Sequence, residues 1–245
     1  STMRRRRPTP GMRSACLIAA LALTLHAAPS RAGSADASPS GPEQEVTFEL
    51  QHSGTEYPLN DVCFVDAEHG WAVGGGGQDH RDYVLLRTSD GGRTWDSLTT
   101  SLARQLDSVF FLNRNLGWVS GYRGVILRTT DGGDSWTLLP SGSTYKLAQI
   151  QFVDERHGFV VQAAHTHFLR TTDGGDTWTH HPIGISNDLL EIWFVDPLRG
   201  WALGNKGLLA RTTDGGVSWH ALDYGSTLQM HALYFRDPLH GWIGG

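Results

Sequence analysis

Four arginines recur at one fixed position along the chain: Arg87, Arg128, Arg170 and Arg211 each precede a Thr-Thr or Thr-Ser pair. A guanidinium offers a planar fork that grips carboxylates and carbonyls at two points, so a row of them is chemistry suited to binding. Other groups invite a catalytic or metal reading, and each meets an objection. The His165-Thr166-His167 and His180-His181 pairs approach metal-ligand spacing but lack a matching carboxylate or thiolate cluster, so no metal is expected. Tyr57 and Tyr145 fall at the same place in a repeat, so architecture accounts for them. Cleavage of a glycosidic bond needs paired carboxylates, yet the chain has seven glutamates and its aspartates sit mainly in two recurring phrases. The sequence therefore offers no catalytic set and calls for no cofactor.

The elements that position the arginines follow from those phrases. One reads RTSDGGRTW (87–95), RTTDGGDSW (128–136), RTTDGGDTW (170–178) and RTTDGGVSW (211–219); its closing tryptophans lie 41 or 42 residues apart. It supplies Asp90, Gly92 and Trp95, then Asp131, Gly133 and Trp136, then Asp173, Gly175 and Trp178, and finally Asp214, Gly216 and Trp219. The second phrase interleaves with it: VCFVDAEHGWAVG (62–74), VFFLNRNLGWVSG (109–121), IQFVDERHGFVVQ (150–162), IWFVDPLRGWALG (192–204) and LYFRDPLHGWIGG (233–245). Each unit holds four apolar runs of strand length separated by Gly, Asp and Pro, which predicts four short antiparallel strands. At this period the reading is an all-β protein, a β-propeller of four-stranded blades. Asp-Gly-Gly joins the third strand to the fourth: the glycines supply positive φ and the carboxylate accepts N–H groups across the turn. The tryptophan ending the phrase is expected to turn inward and pack between sheets.

Residues 1–32 read as a signal peptide, with RRRR at 4–7, the apolar run ACLIAALALTLHAA at 15–28 and small residues Ser30 and Ala32 before a cleavage point. Export is therefore expected, to the periplasm or an equivalent lumen. Residues 33–46 read as a flexible linker and 47–245 as the propeller domain. Removing residues 1–32 takes away six arginines and no acid, leaving 14 basic against 25 acidic groups, a net charge of −11. That balance argues against nucleic acid or an anionic bilayer as the partner.

Residues 47–64 align without gaps on 135–152, placing Phe48 on Trp136 and Phe64 on Phe152, so the mature N-terminus reads as an orphan fourth strand. The last phrase stops within a second strand, which predicts about 4.5 blades out of a longer propeller. Gly74 to Gly77 and the following Gln78-Asp79-His80-Arg81-Asp82 lengthen one loop and stand as a candidate contact segment, a tolerated insertion being the simpler reading.

The phrase around Asp131 resembles the Asp-box, or bacterial neuraminidase repeat, which sialidases, sortilins and some endoglucanases carry as a structural element of propellers. Combined with F-x-D-x-x-x-G-W, as in Phe64 to Trp71, the chain looks like the photosystem II stability/assembly factor family, over about residues 47–245. That resemblance implies a seven-bladed, lumenal or periplasmic, non-catalytic propeller. It implies a membrane or envelope protein as partner: a photosystem II assembly intermediate where the source is photosynthetic, with Arg87, Arg128, Arg170 and Arg211 as the binding row. The same arginines could instead pair with first-strand acids (Asp66, Asp154, Asp196, Asp237) and serve the scaffold. A sialidase-like glycoside hydrolase is the alternative of another class; it requires three convergent arginines and a Tyr/Glu pair that the repeats do not supply.

Overall fold

A computed structural model describes residues 50–76, 82–100, 102, 104–163, 166–184, 189–225, 228 and 230–245. The leader at 1–32, the linker at 33–46, residues 47–49, most of the candidate contact segment (77–81) and His165 lie outside these residues.

Four blades have the predicted strand order. The first holds β1 (Leu59–Phe64), β2 (Gly70–Gly76), β3 (Asp82–Thr88) and β4 (Asp96–Ser97). The second holds β5 (Leu106–Phe111), β6 (Gly117–Gly121), β7 (Ile126–Thr129) and β8 (Thr137–Leu138). The third holds β9 (Leu147–Phe152), β10 (Gly158–Gln162), β11 (His167–Thr171) and β12 (Thr179–Pro182). The fourth holds β13 (Leu189–Phe194), β14 (Gly200–Gly204), β15 (Leu208–Thr212) and β16 (His220–Ala221). A fifth sheet pairs β17 (Ala232–Asp237) with β18 (His240–Gly244). The protein is an all-β propeller of about four and a half blades, with every strand pair antiparallel.

Aromatic rings set the blade spacing. The phenylalanine ending each first strand pairs with the glycine opening the second, and a β-carbon at Gly70 would stand 2.6 Å from the Phe64 ring. Glycine is required there because the ring occupies the space over its backbone. The next residue, the tryptophan of Gly-Trp, reaches the following blade: Trp71 stacks on Phe111 at 3.5 Å, Trp118 on Phe152 at 3.6 Å and Trp201 on Phe235 at 3.6 Å. Phe159 stacks on Phe194 in the same way. These second-strand rings are the buried ones, with Trp71 and Trp118 at 1% and 0% exposure. The tryptophans of the Asp-Gly-Gly phrase turn inward as expected and pack against the core while staying partly exposed, Trp219 touching Phe168 of one blade and Phe194 of the next. They meet the phenylalanine of their own blade edge-on, as Trp136 meets Phe111 at 6.1 Å, because the fourth strand is outermost and closes over the sheet edge.

The N-terminal residues lie against the first blade. Gln51, which aligns with Leu139, touches Gly92 as Leu139 touches Gly175, and its amide donates to the Gly91 carbonyl at 3.1 Å.

Candidate partner-binding face

The turns after the third strands are built identically four times. In the second blade, Thr129 Oγ1 donates to Asp131 Oδ1 and accepts from Gly133 N, while Ser135 N and Oγ donate to the two Asp131 oxygens. Asp90, Asp173 and Asp214 repeat this with Thr94, Thr177 and Ser218. The hydroxyl and backbone donors hold all four carboxyls down at about 2, because each donor bonds the ionised form. The glycines carry the left-handed backbone that the turn requires, with φ of 76° at Gly132 and 99° at Gly133.

Those turns also receive the preceding blade. Trp71 Nε1 donates to the Gly132 carbonyl at 2.9 Å; Arg87 Nη1 reaches the same carbonyl at 3.3 Å and Asp134 Oδ1 at 2.7 Å. One blade on, Trp118 Nε1 and Arg128 Nη1 meet the Gly174 carbonyl at 3.0 and 3.3 Å, and Arg128 pairs with Asp176 at 2.9 Å. Two of the four arginines are thus latches between blades, with side chains 32% and 27% exposed.

Arg170 lies over the next turn too, with its Cζ 3.1 Å from where a β-carbon of Gly215 would stand. Its Nε is buried without a hydrogen-bond partner among the described residues. Arg211 sits with its guanidinium 5.6 Å from the Trp201 ring centroid, and among the described residues its Nε is likewise buried without a partner.

The first-strand acids do not take these arginines. Asp66, Asp154, Asp196 and Asp237 instead cap their own turns, each accepting two backbone N–H groups, and pair with His69, His157, Arg199 and His240. The carboxyls of all four are held below the usual carboxylate range, Asp66 chiefly by the His69 hydrogen bond and Asp237 by the Leu239 N–H and then His240. Arg114 also reaches Asp66, at 2.8 Å. Sequence reasoning missed Asp134 and Asp176 as receivers because it looked for the partner on the first strand.

It also missed the stitching along the axis. The first strand of each blade presents an open edge, and polar side chains of the preceding blade satisfy its N–H groups. Asp61 accepts from Val109 N, Ser108 Oγ from Ile150 N, Gln149 Oε1 from Ile192 N and Glu191 from Leu233 N. The signal was available, since Asp61, Ser108, Gln149 and Glu191 share one repeat position, three residues before the phenylalanine.

These groups border an axial cavity of about 580 Å³, together with Asp107, Trp193 and Tyr234. Burial pushes the Asp61 carboxyl up, and pushes Glu191 up to about 8. Lys146 pairs with Asp107 at 2.7 Å. Among the described residues no three His, Cys, Asp or Glu side chains gather as a metal-binding group.

Comparison with known proteins follows the same lines. A family model described as photosynthesis system II assembly factor YCF48 matches residues 42–145 and 139–228. The chloroplastic photosystem II stability/assembly factor HCF136 of Oryza sativa subsp. japonica is 35% identical over 89 residues, 34% of this chain and 20% of that protein. The match thus spans about a fifth of that relative's length. Among solved structures, YCF48 bound to D1 peptide is similar with a TM-score of 0.45 and 20% identity, over 79% of this chain and 90% of that one. An ancestral GH74 enzyme aligns at a TM-score of 0.55 and 15% identity, over 71% of this chain and 25% of that one, a likeness of fold alone.

Proposed function

The chain belongs to the photosynthesis system II assembly factor family, and from that premise we propose that it is an exported, non-catalytic scaffold that holds a membrane protein during assembly. In a photosynthetic source that protein is a photosystem II assembly intermediate; elsewhere it is another envelope protein. The observation that carries the reading is the row of third-strand arginines, Arg87, Arg128, Arg170 and Arg211, the first three of which lie over the Asp-Gly-Gly turn of the next blade, in a family named for assembly. A planar cation repeated from blade to blade suits a partner's carboxylates and carbonyls, and the first two keep about a third of their side chains in solvent while bridging blades.

A hydrolase reading has less behind it. Asp90, Asp131, Asp173 and Asp214 are bound to the donors of their own turns, so the Asp-Gly-Gly phrase offers no free pair to act as acid and nucleophile.

The test is affinity capture of the full tagged protein from membranes of its source, beside an Arg170→Ala/Arg211→Ala variant that leaves the two latches intact. A photosystem II subunit, or another assembling membrane protein, identified by mass spectrometry should co-purify with the parent protein and drop out with the variant. Equal capture by both, or no enriched membrane protein, contradicts the reading. Export is checked on the same preparation by the mature N-terminus, expected at residue 33.

A further inference from the structure

The seam between the third and fourth blades departs from its two predecessors at both partner positions. Phe159 stands where Trp71 and Trp118 donate an indole N–H, and Val217 stands where Asp134 and Asp176 offer a carboxylate. The backbone is unchanged: Gly132, Gly174 and Gly215 have φ of 76°, 79° and 76°. Ring stacking is kept as well, Phe159 on Phe194 at 3.6 Å against 3.5 Å for Trp71 on Phe111. Arg170 still lies over the turn of the next blade. What is missing is the anion.

Among the described residues no local acid replaces it. Asp173 and Asp214 are committed to the hydroxyl and backbone donors of their own turns, and Asp196 pairs with Arg199 at 2.6 Å. Arg170 Nε is buried with no hydrogen-bond partner among the described residues, while Val217, at the position of the absent acid, is 69% exposed and leaves the approach open to solvent. The cation is felt nearby: burial first, then the charges of Arg170 and His180, hold the His181 imidazole below its ordinary value. A guanidinium that lies over the turn beside an open approach can offer its Nη donors, the atoms that Arg87 and Arg128 use, to an anion of carboxylate shape.

We propose that this seam is a carboxylate-binding slot, in which Arg170 takes from a partner the group that Arg87 and Arg128 take from the next blade. The inference rests on the reading of the chain as a protein-binding scaffold and names the chemistry one point of that face selects: an acidic side chain or a chain-terminal carboxylate.

The test follows the Arg170 Nε–Hε resonance of the full chain by NMR during titration with three probes. These are acetyl-Ala-Ala-Ala with a free carboxylate, its C-terminal amide, and acetyl-Ala-Glu-Ala amide. A saturable shift with either carboxylate probe and none with the neutral amide supports the slot, and the responding probe identifies the source of the carboxylate. Val217→Asp supplies the anion in place and also repels an incoming carboxylate, and the two effects together should weaken that response by about tenfold. Because Val217 is exposed, this variant folds as the parent does; Arg170→Gln serves as the second variant and, followed at the backbone amide of Gly215 beneath the guanidinium, should abolish the response seen there in the parent. An equal response to the neutral amide, or undiminished titration of Val217→Asp, overturns the proposal. If Val217→Asp loses the titration but captures the membrane partner as well as the parent does, the slot is real and lies outside the partner contact; if Arg170→Ala/Arg211→Ala also captures normally, the scaffold reading itself fails.

Discussion

The seam between the second and third blades and the seam between the third and fourth share backbone, ring stacking and arginine, and differ at the two positions that partner the turn carbonyl and the arginine. Trp118 and Asp176 close the first; Phe159 and Val217 leave the second open. The comparison separates what a repeat must keep from what it can release. Stacked rings and turn glycines cannot change without losing blade spacing, whereas a surface ion pair contributes little to stability and can be given up to make a site.

That contrast can be broken most severely at the rings. Trp118→Ala removes a fully buried indole stacked on Phe152, and chemical denaturation should show a loss of about 3–5 kcal/mol. A change of that size would show that burial rather than the polar latch holds the seam.

The next effect belongs to the axis, where Glu191 stitches the fourth blade to the fifth. Its carboxyl stands at about 8 in the folded chain against an ordinary 4.5, so the fold binds the proton more tightly than the unfolded chain does. The stability this contributes is fully present below 4.5 and is lost as the pH rises through about 8. Glu191→Gln should flatten that decline and leave the protein roughly 2 kcal/mol more stable than the parent at pH 9, as read from denaturation at several pH values.

Smaller changes sharpen the comparison of the two seams directly. Trp118→Phe copies Phe159 into the second seam and loses the indole bond to the Gly174 carbonyl, for about 1 kcal/mol, since Arg128 still donates to that carbonyl. Val217→Asp copies the closed seam into the open one and should stabilise by no more than about 0.5 kcal/mol, the worth of an exposed ion pair. A gain much larger than this would mean that Arg170 is strained when unpaired.

Blade architecture was legible from the sequence because it is written five times. The position of Gly70 before Trp71, the Asp131 turn and the 41-residue period each follow from local sterics and turn chemistry that a linear reading reaches. The partners across blades were less legible. Arg87 meets Asp134, 47 residues on, and nothing in the spacing distinguishes that acid from Asp66 until the sheets are placed side by side. The informative signal for the site was a departure: Val217 breaks a column that reads Asp134 and Asp176 in the two blades before it.

The most direct test moves the open seam. In the double variant Asp176→Val/Val217→Asp, the carboxylate probe should shift the Arg128 Nε–Hε resonance saturably and leave Arg170 silent, reversing the parent protein. If Arg170 still responds, or neither arginine does, the missing acid is not what makes the slot.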